Sequence, residues 1–348
     1  MKFEDVIGNV PVKESLFRMM EEGRMGHAIL FVEKDGGGAF ALSLALAQKV
    51  NCTGPAGADS CGVCPGCHKY GKLIHPDLHF IFPVSKAKSL TESEKKAPIS
   101  DYFVEKFRNF ALSNPYFLEQ ELYDALELDA GNAGISVNEA RDISQKLSLK
   151  SFEGQFRTII IYLPEKMNVP AANKLLKLLE EPPLGTLFLL ITHNPDRVLQ
   201  TIRSRCQIVG MIPFSREEEE KAHGEFRVNP EYASLMETLL EAGLSKKVID
   251  TFPVWETISA KEREKQKEFC IYAEEYIRNI FLYSNGLESL ARIPAGMDST
   301  IRSFSGRIKP TFYRKAFAKL EETAAAVEGN ANAKLNFCDL CNQLLLFL

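Results

Sequence analysis

Half of the eight cysteines in this 348-residue chain fall between positions 52 and 67, in the stretch "CTGPAGADSCGVCPGCHKY". Cys52 is followed by Cys61, Cys64 and Cys67, and the two overlapping C-x-x-C steps let neighbouring thiolates converge on one tetrahedral ion, with Gly62, Pro65 and Gly66 permitting the tight turns. Four cysteines fill a structural zinc site; His68, His75 or His79 could replace one of them, and free or redox-active thiols are the competing reading. A closed four-thiolate site has no open position for a substrate, so its expected contribution is folding stability. The second stretch with chemical potential is "FVEKDGGGAF", from Phe31 to Phe40. A working phosphate loop holds phosphates on backbone N–H groups, places a lysine on the β and γ phosphates and gives Mg²⁺ a Ser or Thr hydroxyl. Here Gly36, Gly37 and Gly38 keep the turn, but the lysine position is Ala39 and the hydroxyl position is Phe40. Charge neutralisation and metal binding are both lost, which favours a bare strand-to-helix turn.

The elements that must position these residues alternate strand and helix. "AILFV" (Ala28–Val32) is a short apolar run with the character of a buried parallel strand, and the helix formers of "AFALSLALAQKV" follow the glycines. A second core strand is "RTIIIYL" (Arg157–Leu163), followed by the helical "AANKLLKLLEE" and stopped by Pro182-Pro183. The third, "TLFLLIT" (Thr186–Thr192), leads into a turn at Asn194-Pro195. This alternation predicts a parallel, three-layer α/β domain with helices on both faces of the sheet. "ISVNEARDISQKLSLKS" (Ile135–Ser151) has helical spacing and leads back to the sheet. A charged stretch and an amphipathic one fill about 85–130, where a solvated loop and a locally packed helix are expected.

An NTPase with such a loop ends its second core strand on acids that hold Mg²⁺ and position the attacking water. Tyr162, Leu163 and Pro164 occupy those places, and Glu165 lies further along. Two separated segments have thus lost the groups that serve one Mg-nucleotide. After Phe214 the strand pattern stops, and helices are expected at about 231–242, 246–258, 261–283, 312–327 and 331–347, a separate all-α domain. Cys338 and Cys341 sit in its apolar "NFCDLCNQLLLFL", where buried core thiols are expected.

Composition narrows the class. The chain is 45% hydrophobic with a net charge of −4, enough apolar content for packed cores and no global basic coat for nucleic acid, although a local basic patch stays open. No apolar run approaches the ~20 residues that span a bilayer, and "MKFEDVIGNV" lacks signal-peptide regions, so a soluble cytoplasmic protein without a disulfide framework or membrane partner is expected.

Taken in order, "GHAILF", the glycine loop, the cysteine module after the first helix, "PEKMNVPAANKLLKLLEEPP", "ITHNP" and "TIRSRCQ" resemble the bacterial clamp-loader subunits of the DNA polymerase III holoenzyme, which are AAA+ proteins. The resemblance covers nearly all of 1–213. It implies an AAA+ domain of the P-loop type over 1–213 with the zinc module inserted, a linker or reduced lid at 214–229, and a helical collar at 230–348 that holds a five-subunit ring together. An intact phosphate loop marks the family's ATPase motor, and a degraded one marks a member that hydrolyses nothing itself; this chain resembles the latter. No productive ATP binding is then expected. The resemblance also implies that Arg205, in "SRC", is presented to ATP bound by a neighbouring gamma/tau motor subunit as an arginine finger. Implied partners are the motor and delta subunits, with primed DNA and the sliding clamp as targets of the whole complex. The insertion near 85–130 and the short segment after 213 depart from the family pattern. A zinc-containing DNA-binding module and an active motor are the alternative functions; the first lacks basic and aromatic residues around the cysteines beyond Lys69, Tyr70 and Lys72, the second lacks its lysine and acids.

Overall fold

The computed structural model describes residues 1–54, 57, 59–87, 89–148, 155–223, 229–291, 293, 297–329 and 331–348. Residues 224–228 of the expected linker, 149–151 at the end of an expected helix, Lys88 of the insertion and residues 55, 56 and 58 of the cysteine stretch lie outside that set. The chain forms two compact units, Met1–His223 and Gly224–Leu348.

In the first unit the three apolar runs become strands: β1 (Ala28–Val32), β3 (Arg157–Tyr162) and β4 (Thr186–Thr192). Two four-residue strands join them, β2 (Leu78–Ile81) and β5 (Gln207–Gly210), in the order β2-β3-β4-β1-β5 with every pairing parallel. The second core strand stops at Tyr162 because Leu163 turns left-handed (φ 57°) and Pro164 has no N–H to continue the ladder. Strand side chains alternate between two cores. Ile29, Phe31, Ile160 and Leu189 face one layer, built on α1 (Val10–Glu21) and α2 (Ala39–Val50). Leu30, Ile161 and Leu190 face the other. The parallel three-layer arrangement expected from the alternation of elements is present.

α2 is buried along its whole length from Ala39 to Gln48. A helix apolar on every side must be covered on every side. Its outer cover follows in the chain: α3 (Pro65–Gly71) of the cysteine module, then α4 (Val104–Ser113) and α5 (Glu119–Ala125) of the insertion. The charged stretch at 91–97 is largely solvated, as expected, but the helical part of the insertion does not pack only locally. Phe103, Phe107, Phe117 and Leu122 are buried in the same core as α2. The opposite face of the sheet carries α6 (Val137–Ser148), α7 (Val169–Glu180) and the single turn α8 (Gln200–Arg203). α9 (Arg216–His223) closes the unit.

The second unit is helical: α10 (Pro230–Ser245), α11 (Phe252–Ser259), α12 (Arg263–Ser284), α13 (Asp298–Ser305), α14 (Pro310–Glu328) and α15 (Ala333–Phe347). α12, α14 and α15 surround a core containing Phe269, Ile277, Phe312 and Phe337. Cys341 is buried in it and Cys338 is half-buried. Among the described residues, no helix is long and apolar enough to cross a membrane.

Candidate functional site

The carboxyl ends of β1, β4 and β3 lie side by side, with Val32 beside Thr192 and Tyr162 beside Ile191. Parallel α/β sheets bind ligands at this edge, and the glycine loop opens onto it. Gly36 and Gly38 both adopt positive φ, 75° and 90°, and Gly38 is the N-cap of α2. The first amide of α2, Ala39 N–H, is a natural anion donor at a helix N-terminus. Its partner is the chain's own Glu33, whose Oε2 accepts at 2.7 Å, with the residue 7% exposed. Ala39 and Phe40 are both buried. Phe40 packs on Phe117 and Phe107 of the insertion, with ring centroids 5.0 and 5.8 Å away.

Side chains also sit directly on the glycine backbone. A β-carbon at Gly36 would lie 2.8 Å from Leu118 Cδ2 and 2.6 Å from His223 Cε1; one at Gly38 would lie 2.9 Å from Phe214 Cζ and 3.3 Å from Tyr116 Cε1. His223 Nε2 donates to the Gly36 carbonyl at 3.1 Å, and the Tyr116 hydroxyl accepts from Ile7 N–H at 2.8 Å.

A charged cluster completes the cleft. Asp35 accepts from Glu119 N–H through Oδ1 at 3.0 Å and Oδ2 at 3.1 Å, so the loop caps α5. His193, just beyond β4, stands 3.6 Å from Asp35 and 3.8 Å from both Glu33 and Glu119. Burial alone would lower the His193 imidazole, but the Glu119, Glu33 and Asp35 carboxylates outweigh it and hold its pKa up to about 10. Burial likewise opposes ionisation of Glu119, yet His193, Lys166 (3.0 Å) and the Tyr123 hydroxyl (2.8 Å) hold its carboxyl down at about 2. Desolvation raises Asp35 above the usual range.

At the end of β3, the Tyr162 hydroxyl reaches Asp35 and His193, both at 3.5 Å. Leu163 and Pro164 are buried without polar side-chain atoms. Glu165 turns back to β4: Oε2 accepts from the Thr192 hydroxyl at 2.7 Å, and Oε1 from the N–H groups of His193 (2.9 Å) and Asn194 (3.2 Å). Its carboxylate is a structural acceptor. Glu33, Asp35, Glu119 and His193 escaped the reading of the sequence; the apolar outer face of α2 was the available signal that something covers the loop.

Arg205 is placed elsewhere. It lies between α8 and β5, which starts beside Ile29 at the amino end of β1. Its side chain, 35% exposed, pairs with Glu180 at 2.5 Å and donates to the Thr201 carbonyl at 2.9 Å. The glycine loop is at the other end of β1, a strand of five residues or roughly 16 Å, so the guanidinium and its own loop stand on opposite edges of the sheet.

The thiols form a separate centre. The Sγ atoms of Cys52, Cys61, Cys64 and Cys67 all lie within 4.8 Å of one another, with Cys61 and Cys67 3.9 Å apart. Four sulfurs around one zinc at about 2.3 Å would be about 3.8 Å apart, so the donor set could hold one ion. Amides already face the sulfurs: Cys61 N–H donates to Cys52 (3.2 Å), Cys64 N–H to Cys61 (3.3 Å) and Cys67 N–H to Cys64 (3.4 Å). Such bonds orient and stabilise thiolate ligands. Burial opposes the ionised form of Cys64, but the Cys67 and Thr53 amides bring its thiol down to about 5. His75 stacks on Tyr70 at 4.5 Å, and no histidine joins the cluster among the described residues.

The first unit is thus a parallel α/β protein whose first strand runs through a glycine turn into a buried helix, with a four-thiol centre beside it. The chain belongs to the family described as DNA polymerase III, delta subunit, whose family model matches residues 8–215. DNA polymerase III subunit delta′ of Bacillus subtilis is 28% identical over 227 residues, 65% of this chain and 54% of that protein. The delta′ subunit of Pseudomonas aeruginosa is 31% identical over 180 residues, 52% of this chain and 41% of that protein. The chain spans about half the length of the curated relatives it matches. A crystal structure of a DNA polymerase III gamma-subunit-related protein from Thermotoga maritima covers 96% of this chain and 99% of that one at 18% identity, with a TM-score of 0.42.

Proposed function

We propose that this chain is a delta′-type subunit of a bacterial clamp loader that hydrolyses no ATP of its own. It works in a ring with gamma/tau-type motor and delta-type subunits, helping the complex to load a sliding clamp onto primed DNA. The observation that carries this reading is the chemistry at the glycine loop. Ala39 and Phe40 stand where a lysine and a hydroxyl are needed, and the amide that would meet a phosphate already binds Glu33. Tyr162 and the fully engaged Glu165 leave no acid at the end of β3 to hold Mg²⁺.

In this reading Arg205 acts in trans. An arginine on the opposite edge from its own loop suits presentation to the γ-phosphate of a neighbour, where it stabilises charge developing in phosphoryl transfer. In the free chain the guanidinium is held by Glu180 and the Thr201 carbonyl, contacts that a neighbour's phosphate would replace. Cys52, Cys61, Cys64 and Cys67 would hold a structural Zn²⁺, and the second unit is the collar through which the subunit packs in the ring.

The test is a clamp loader reconstituted with gamma/tau and delta subunits, assayed for DNA- and clamp-stimulated ATPase. The chain alone is expected to hydrolyse nothing, and Arg205→Ala to slow turnover at the site it faces by ~10³ or more. Unchanged stimulated turnover in the variant would remove the role from Arg205; hydrolysis by the isolated chain would refute the whole reading.

A further inference from the structure

The insertion and the glycine loop are bound together by more contacts than a covering element needs. Phe40, at the hydroxyl position, is the ring on which Phe107 and Phe117 of the insertion pack. On either side of Phe117, Leu118 lies so close to Gly36 that a β-carbon there would stand only 2.8 Å away, and Tyr116 lies in tight contact with Gly38, 3.3 Å from where its β-carbon would be. Asp35 of the loop caps α5 of the insertion. Glu33 caps α2 and lies 3.0 Å from where a β-carbon of Gly37 would be, inside the turn itself. Phosphates approach a glycine loop at these same points, its bare backbone and the first amide of the following helix.

Charge points the same way. Three carboxylates, Glu33, Asp35 and Glu119, face one imidazole, His193, and one ammonium, Lys166. A cleft with that balance repels a polyphosphate and is internally paired without one. The contacts also extend to Phe214, just before α9, which lies over Gly38, and to His223 at the end of α9, which lies over Gly36 and bonds its carbonyl.

We propose that residues 116–119 of the insertion, together with Glu33, are a built-in occupant of the cleft, which keeps the glycine loop closed and α9 docked on it with no nucleotide present. The inference rests on the reading of this chain as a subunit that hydrolyses no ATP, and extends it: the site is not merely short of catalytic groups but filled, and the docking of α9 is made permanent.

Hydrogen exchange on the full-length chain, with and without millimolar MgATP, tests this without any variant. Amides 36–42 and 217–223 are expected to be protected in the free chain and unaltered by MgATP. Glu33→Ala should speed exchange at the Ala39 amide roughly tenfold, the equivalent of one charge-assisted hydrogen bond. The double variant Tyr116→Ala, Leu118→Ala should release 217–223 while amides of the second unit exchange as in the parent. Protection of 36–42 gained on adding MgATP, or an unaltered 217–223 in the double variant, would overturn the proposal. MgATP protection without hydrolysis refutes only the built-in occupant, whereas hydrolysis by the isolated chain refutes the underlying reading as well.

Discussion

At position 40 one aromatic ring stands where a phosphate loop places a hydroxyl, and the same ring packs against Phe107 and Phe117 of the insertion. His193 is a second such residue, and its effect is measurable through pH. Its pKa is raised from an ordinary 6.5 to about 10, so the stability it contributes is complete below pH 6.5 and is lost as pH rises towards 10. Glu119 is lowered from 4.5 to about 2, so its contribution is complete above pH 4.5 and is lost as pH falls towards 2. Denaturant titrations across pH should therefore show both contributions intact between 4.5 and 6.5 and an alkaline decline that His193→Gln flattens. An alkaline limb identical in variant and parent would remove His193 from the account. Ala39 and Phe40 were legible in the sequence because a motif fixes their spacing. Glu33, Glu119 and His193 were not, since they meet only when β1, α5 and the end of β4 are brought to one edge of the sheet.

Among the elements, β1, β3 and β4 announce themselves as apolar runs, whereas β2 and β5 are four-residue edge strands, too short to give an alternation, the first broken by His79 and the second opening on Gln207. The eight-residue α13 was missed for the same reason. Helical spacing in the insertion predicts helices but not their destination. The cysteine module was the most legible element, because C-x-x-C spacing is itself a geometry. If it holds an ion, purified protein contains about one zinc per chain, and an ion held at a hundred times its Kd adds roughly 2.7 kcal/mol, or about 5–11 °C in Tm for a unit of this size. Chelation should lower Tm by that order and speed exchange around Cys52 and α3 first. Protein purified without chelator and free of metal, yet equally stable, would dismiss the site.

For the whole molecule, separate cores define two units, two cores on the faces of the sheet in the first and one among the helices of the second, and the second gives its proposed assembly role a testable surface. Leu335 and Leu346 on α15 are 73% and 76% exposed and stand eleven residues apart, three turns along one face. Asp339 and Asn342 stand exposed between them on the same face, so the two leucines are separate apolar points on a polar stripe, a mixture that suits a subunit contact on the proposed reading. Changing both to Asp should leave Tm nearly unaltered, within roughly 0.5 kcal/mol per site, while weakening co-purification with gamma/tau-type and delta-type subunits. Full retention of the complex would place the assembly surface elsewhere.

The separation of Arg205 from the glycine loop, at opposite edges of one short sheet, gives the first unit a direction. On the proposed reading it offers a catalytic hand to one neighbour and has nowhere to receive one from the other. A ring that includes it carries fewer hydrolytic sites than subunits, and a circle of otherwise similar parts acquires a first and a last position.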